Sequence, residues 1–163
     1  MNRNNQNIVA FFTHLSGLIQ YAFPLFSILI PLIIWSTADT KLTVKRHAAE
    51  VFNFQLSVLI YSIVLAMIAI PFLVYGFGTF FTWDEIITGA DVNFSNFSNA
   101  IVPLTFGFIF IGILALAKTA EFFLILYAAT VAARGGFFNY PVCIKFIKSS
   151  ETAVLDIENV VTH

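Results

Sequence analysis

The sequence predicts an all-α, polytopic membrane protein with an N-terminal helical hairpin and two long transmembrane helices. Its 163 residues are 59% hydrophobic and 10% charged, with a mean hydropathy of +0.88, whereas a soluble domain carries about 25% charged residues. Residues 51–75 contain no Asp, Glu, Lys or Arg. As one helix they would be roughly 37 Å long, enough to cross a hydrocarbon layer of about 30 Å. A chain of this length has room for about three or four membrane segments in one bundle.

Residues 8–35 form the first apolar segment, and two prolines are predicted to break it. As one straight helix this segment would be roughly 42 Å long, but Pro24 and Pro31 each remove a backbone hydrogen bond and clash with the preceding turn. A break beside Pro24 would leave halves of roughly 24 and 17 Å, each too short for a full crossing. Two topologies remain open: one kinked crossing, or a hairpin that enters and returns on the same side.

The rest of the chain completes one helical membrane domain, which we place at residues 1–148. Its other membrane segments are residues 50–75 and 101–133. Residues 137–148 mix aromatic side chains with lysines, a composition typical of a segment at the membrane interface. Residues 149–163 return to a polar composition and are predicted to be a tail.

The distribution of charge predicts the orientation. Basic residues lie before the second membrane segment and after the third, at Lys41, Lys45, Arg46, Arg134, Lys145 and Lys148. The loop at residues 76–99 contains acidic residues but no Lys or Arg. Because cytoplasmic loops carry an excess of Lys and Arg, the basic groups are predicted to be cytoplasmic and the acidic loop external. This indicates a multi-pass protein of the cytoplasmic (inner) membrane with both termini in the cytoplasm.

Three sequence blocks, in this order, carry a family resemblance. They are HLSGLIQYAFPLFSILIPLIIW (residues 14–35), RHAAEVFNFQLSVLIYSIV (residues 46–64) and AARGGFFNYPVCIKFIK (residues 132–148). Together they resemble an uncharacterised bacterial family of small membrane proteins that is similar to the twenty-kilodalton Tic subunit of chloroplast protein import. The resemblance implies a compact helical membrane domain with cytoplasmic termini, which favours the hairpin for residues 8–35. It implies no catalytic activity.

A polar stripe follows one face of the second membrane segment. On a helical wheel Glu50, Asn53, Ser57 and Tyr61 fall within an arc of about 80°, and His47 lies about 60° to one side of Glu50. The favoured interpretation is that these groups attach the helix to its neighbours through hydrogen bonds of about 0.6–2 kcal/mol each. A solute or proton path and a partner-binding face are the alternatives.

Two charged residues, Lys118 and Glu121, lie within the third apolar segment. At positions i and i+3 they are about 60° apart on one face, close enough to form an ion pair that offsets the cost of each charge in the membrane. Alternatively, Lys118 extends to the outer headgroups and Glu121 is protonated or bonded elsewhere. His14 is a candidate proton-active group or metal ligand, but one histidine without a spaced carboxylate favours a structural role.

No pattern of an enzyme or a cofactor site is present in the sequence. It contains no GxSxG, Walker-type or GxGxxG motif and no paired His and carboxylate spacing. The single Cys143 excludes an intramolecular disulfide and a cysteine-based metal cluster. The sequence therefore predicts a non-enzymatic protein with no catalytic, cofactor-binding or metal-ligating residues, and the net charge of −1 gives no indication of a nucleic-acid partner.

The predicted partners are the lipid bilayer and either other membrane proteins or further copies of the chain. The leading functional hypothesis is a subunit or accessory factor of a larger membrane assembly, such as one that moves or inserts polypeptides. The alternative is a small channel or transporter whose path is lined by the Glu50 stripe and the Lys118 and Glu121 pair.

Overall fold

The computed structural model describes residues 3–23, 25–38, 42–81, 87, 89 and 97–147, and most of this part of the chain is helical. Helix α1 (Arg3–Leu15) passes directly into a 3-10 helix (Ser16–Tyr21). Helices α2 (Phe26–Thr37), α3 (Leu42–Phe80) and α4 (Phe97–Ala133) follow. Both α3 and α4 are long and apolar enough to cross a membrane. The predicted all-α membrane fold with two long helices is confirmed.

The first apolar segment is divided, as both the hairpin and the kinked crossing require. The chain leaves the 3-10 helix after Tyr21, and α2 starts at Phe26. The break lies where it was predicted, although Pro24 itself is outside the described residues. Pro31 was predicted to break or kink the segment, and α2 continues through it, so it does not end the helix. Pro31 lies in the second turn of α2, where it removes one backbone hydrogen bond, and the bonds of the other turns hold the helix together.

The described residues form two compact units. The first contains the described residues of Met1–Leu59 and Ala120–His163, and the second is Ile60–Thr119. Helices α3 and α4 each contribute one part to each unit. The predicted polar tail, Lys41, Lys148 and most of the loop between α3 and α4 lie outside the described residues.

The core of the first unit lies between α3, α4 and the chain that follows α4. Val51 and Phe54 pack there with Ile125, Ala128 and Tyr140. Many other buried positions of this unit are alanines, at Ala48, Ala49, Ala129 and Ala132. Small residues let membrane helices approach closely, and interhelical hydrogen bonds then provide much of the stabilisation.

The second unit consists of the end of α3 packed on the start of α4. Gly76 lies against Leu104, and Gly107 lies against Leu73, so each helix presents a glycine to a leucine of the other. A Cβ atom on Gly107 would lie 2.6 Å from a methyl carbon of Leu73. Most other large apolar side chains of this unit are exposed, as is expected of helices that face lipid.

Helix α4 ends in a Schellman motif, which directs the following chain. The N–H of Gly135 donates to the carbonyl of Ala132, and that of Gly136 donates to Val131. Gly135 has a φ of 78°, which glycine adopts without strain. Residues 137–147 then continue without a helix and pack against α3 in the first unit. We call these residues the C-terminal strap.

Candidate functional site

Three polar side chains from distant parts of the sequence meet inside the first unit. His14 lies at the end of α1, and its Nδ1 forms a hydrogen bond of 2.9 Å with the Tyr140 hydroxyl. Its Nε2 lies 3.0 Å from Nδ1 of His47 on α3. All three side chains are buried. The resulting chain of hydrogen bonds joins α1, α3 and the C-terminal strap.

This hydrogen-bond chain can carry its protons in two directions. In one arrangement the Tyr140 hydroxyl donates to His14, and His14 donates to His47. In the other, His47 donates to His14 and His14 donates to the hydroxyl oxygen. In both arrangements one ring nitrogen of His14 donates and the other accepts, so the His14 imidazole is neutral. Burial, followed by the nearby Cys143 and Glu121, raises the pKa of Tyr140, so the phenol keeps its proton.

Aromatic rings enclose this hydrogen-bond chain. Tyr140 stacks on Phe54 with ring centroids 3.9 Å apart, and Phe138 meets it edge-on at 5.2 Å. Phe137 lies 5.1 Å from the His47 ring, and the Arg46 guanidinium lies 3.7 Å from the Phe137 ring centroid. The strap thus places an aromatic layer over the two histidines.

The polar stripe of α3 binds the backbone of the strap. The Asn53 amide nitrogen donates to the carbonyl of Ile147 at 2.9 Å, and its oxygen accepts from the N–H groups of Phe146 and Ile147 at 3.1 and 2.9 Å. The Ser57 hydroxyl accepts from the N–H of Ile144 at 2.8 Å and donates to the carbonyl of Asn53 at 2.6 Å. Two side chains therefore satisfy four backbone groups of a segment that has no helix of its own.

These contacts define the path of the strap. Phe137 lies beside His47, whereas Ile144 bonds to Ser57, about 15 Å further along α3. Phe146 and Ile147 then return to the level of Asn53. The chain reverses near Val142, which has a φ of 54°. A β-branched residue rarely adopts this conformation, so the reversal is held by its surroundings.

A second polar contact joins the 3-10 helix to α4. The Gln20 amide nitrogen donates to the Glu121 carboxylate at 2.6 Å, and Glu121 is only 2% exposed. The buried amide nitrogen of Gln55 has no hydrogen-bond partner. A Cβ atom on Gly17 would lie 2.6 Å from that nitrogen, so the glycine permits the close approach of the 3-10 helix to α3.

The other predicted site residues are Glu50, Tyr61 and Lys118, and Glu50 lies close enough to the strap to act electrostatically on Tyr140 and Cys143. Glu50 is half-buried, and Arg46 and Lys145 both act on it electrostatically. Tyr61 is partly exposed in the second unit, and Lys118 is half-buried in that unit. The pairing of Lys118 with Glu121 stays a prediction. Among the described residues, no three His, Cys, Asp or Glu side chains are grouped so as to hold a metal ion.

The sequence reasoning missed two participants, Gln20 and Tyr140. Gln20 is a lone amide in an apolar segment, which is itself a signal of an internal partner. Tyr140 was interpreted only as an aromatic side chain near the interface, because its position beside His14 depends on the fold of the strap. The partners of Asn53 and Ser57 are backbone groups of the strap, which no residue type in the sequence reveals.

Comparison with known proteins assigns the chain to a family. The family model that matches is the magnetosome magnetite crystal formation protein family, MamF/MmsF, and it covers residues 5–147. No curated protein and no solved structure matches the chain. The resemblance to a Tic-like family was therefore wrong. All but the last residue of the three blocks that suggested it falls within the matched range. The chain belongs to the MamF/MmsF family of magnetosome magnetite crystal formation proteins.

Proposed function

We propose that the protein acts in magnetite crystal formation as a non-enzymatic subunit or accessory factor of a larger assembly in the membrane. The family membership supports the process. The observation that carries the role is the use of the polar side chains. His14, His47, Asn53, Ser57 and Glu121 all bind other segments of their own chain.

Such an arrangement suits a rigid membrane component rather than a catalyst. A catalyst needs a reactive group that is open to a substrate, with an acid or base beside it. The two histidines are instead enclosed by aromatic rings and are bonded to each other. The polar groups hold the first unit together, and the exposed apolar surfaces of α3 and α4 are left for lipid and for partner helices.

The orientation is part of the proposal. Lys45 and Arg46 lie in the first turns of α3, and Arg134 follows the last residue of α4. Because Lys and Arg are in excess in the cytoplasmic segments of membrane proteins, these basic residues support cytoplasmic termini. The partners are other membrane proteins or further copies of the chain, and the membrane is the cytoplasmic membrane or one that shares its orientation.

The process is tested by deleting the gene in its host and measuring magnetite crystals by electron microscopy. We expect smaller or misshapen crystals, restored by the wild-type gene and by Asn5→Leu, which changes an exposed residue of α1. Asn53→Leu, which releases the strap, should restore them poorly. Crystals of normal size and shape after deletion would overturn the proposal.

The accessory role is tested separately from the process. Affinity purification from native membranes in mild detergent should recover a membrane protein in fixed stoichiometry, or an oligomer of this chain. Solute flux through liposomes that contain this protein alone would instead identify the small channel or transporter. That alternative has less support because residues 144–147 cover Asn53 and Ser57 of the stripe.

A further inference from the structure

An amphipathic groove lies in the first unit between α1 and the C-terminal end of α4. Its volume is about 500 Å³, and it is lined by Asn4, Asn7, Ile8, Phe11, Phe12 and Ala133. The two asparagines precede the apolar residues along α1, so the groove is polar toward the start of the helix and apolar toward its end. Ile8 and Phe12 are more than half exposed, so the groove is open along its apolar wall.

The polar end of the groove coincides with a cationic end of the unit. The Asn7 side chain packs against Gly135, where an added Cβ atom would lie 3.0 Å from its amide nitrogen. Arg134 is exposed, and in the sequence it lies between Gly135 and Ala133, which lines the groove. The contact between Asn7 and Gly135 therefore brings the backbone of Arg134 close to the polar end of the groove.

The charge of the two chain segments that line the groove favours an anion. Residues 3–15 and 122–136 contain the basic residues Arg3 and Arg134 but no Asp or Glu. The cationic end is thus complementary to an anionic headgroup, and juxtamembrane cations attract such lipids.

We propose that this groove binds one anionic phospholipid. An acyl chain lies along Ile8, Phe11 and Phe12 and packs against the two aromatic rings. The phosphate lies at the polar end, where the Arg134 guanidinium and the asparagine amides donate hydrogen bonds to its oxygens. The volume falls within the range of about 300–1,000 Å³ that ligand sites occupy. This lipid site does not depend on the function proposed above.

The proposal is tested on the full chain in mild detergent by native mass spectrometry during titration with phosphatidylglycerol or phosphatidylcholine. We expect one phosphatidylglycerol to be retained in preference to phosphatidylcholine. Arg134→Gln should weaken its binding about five-fold, the effect of losing about 1 kcal/mol of cation attraction. Ala133→Phe, which fills the groove, should weaken it about ten-fold or more, as if two methylene groups were displaced.

The matched control is Lys145→Gln. It removes the same charge from another exposed residue of the first unit that does not line the groove. Binding of phosphatidylglycerol should stay as in the wild type. An equal loss in Lys145→Gln and Arg134→Gln would mean general charge attraction and would overturn the site.

Inorganic phosphate separates a lipid site from a simple anion site. If phosphate displaces the bound lipid and Ala133→Phe has no effect, the acyl chain makes no contact and the proposal is wrong. Phe12→Ala provides a second groove variant should Ala133→Phe prove unfolded by circular dichroism. It removes an exposed ring from the apolar wall and should also weaken lipid binding.

Discussion

Replacing Asn53 with Leu tests whether the polar stripe exists to hold the C-terminal strap. The substitution keeps a side chain of similar size but removes one donor and one acceptor. It breaks one hydrogen bond to the Ile147 carbonyl and two from the N–H groups of Phe146 and Ile147. Because all three join α3 to the strap, we expect the strap to open while the helices remain folded.

The magnitude follows from the number of bonds and the exposure of their partners. Each hydrogen bond contributes a net of about 0.5–1.5 kcal/mol, so three give about 1.5–4.5 kcal/mol. Phe146 is 45% exposed, so its freed N–H can bind water and recover part of the loss. We expect the free energy of opening the strap to fall by about 2 kcal/mol, which raises the open fraction about 30-fold.

The chain contains its own reporter of this opening. Cys143 is the only cysteine, and it lies half-buried in the strap. Burial raises the pKa of its thiol, which lowers the reactive thiolate fraction near neutral pH. Release of the strap removes that burial, so Asn53→Leu should accelerate labelling of Cys143 by a maleimide in detergent by up to about 30-fold.

The control makes the same chemical change where no strap is involved. Asn5→Leu alters an exposed residue of α1 and should leave the labelling rate within about two-fold of the wild type. Far-UV circular dichroism should show the same helix content in all three proteins. Equal labelling rates in Asn53→Leu and the wild type would refute the inference that Asn53 holds the strap.

Three further sets of substitutions test other contacts. Tyr140→Phe keeps the aromatic stack but removes the bond to the histidine of α1, and thermal unfolding in detergent should show a loss of about 1–3 kcal/mol. Gly107→Ala should lower stability by about 1–3 kcal/mol because its Cβ meets a leucine, whereas Gly112→Ala, with nothing within 4 Å, should be neutral or stabilising by up to about 1 kcal/mol. If the pair predicted from the sequence forms, Lys118→Met and Glu121→Gln should each destabilise, and the double variant should recover much of the loss; additive losses would exclude it.

The architecture was predictable because it follows from composition and from chain length. Two long apolar runs required long helices, and Pro24 marked the place where the first segment divides. The start of α3 was not predictable in the same way. The helix begins at Leu42 rather than near residue 50, because His47 has a partner inside the protein and Arg46 rests on an aromatic ring. Polar residues that look like a helix end from the sequence are here part of the helix.

One half of the candidate site was predictable, and the other half was not. The helical period placed Asn53 and Ser57 on one face, and their burial in a membrane helix requires partners. The identity of those partners could not be predicted, because they are backbone groups, which every residue type carries equally. Tyr140 was missed for a related reason: the sequence separation of 126 residues from His14 hides their contact.

The strap shows why the stripe carries amide and hydroxyl groups rather than charges. A segment without helix or sheet leaves its N–H and C=O groups unpaired, and near a membrane each unpaired group costs several kcal/mol. An amide offers both a donor and an acceptor, so Asn53 alone pairs with three backbone groups. A carboxylate could not donate to the Ile147 carbonyl, and a lysine could not accept from the two N–H groups. Asn53→Asp is almost isosteric and keeps the two accepted bonds, but it places a carboxylate oxygen against the Ile147 carbonyl. It should therefore release the strap measurably but less than Asn53→Leu, and labelling of Cys143 measures both variants on one scale. A slow, wild-type rate in Asn53→Asp would show that the two accepted bonds suffice and that the donated bond contributes little.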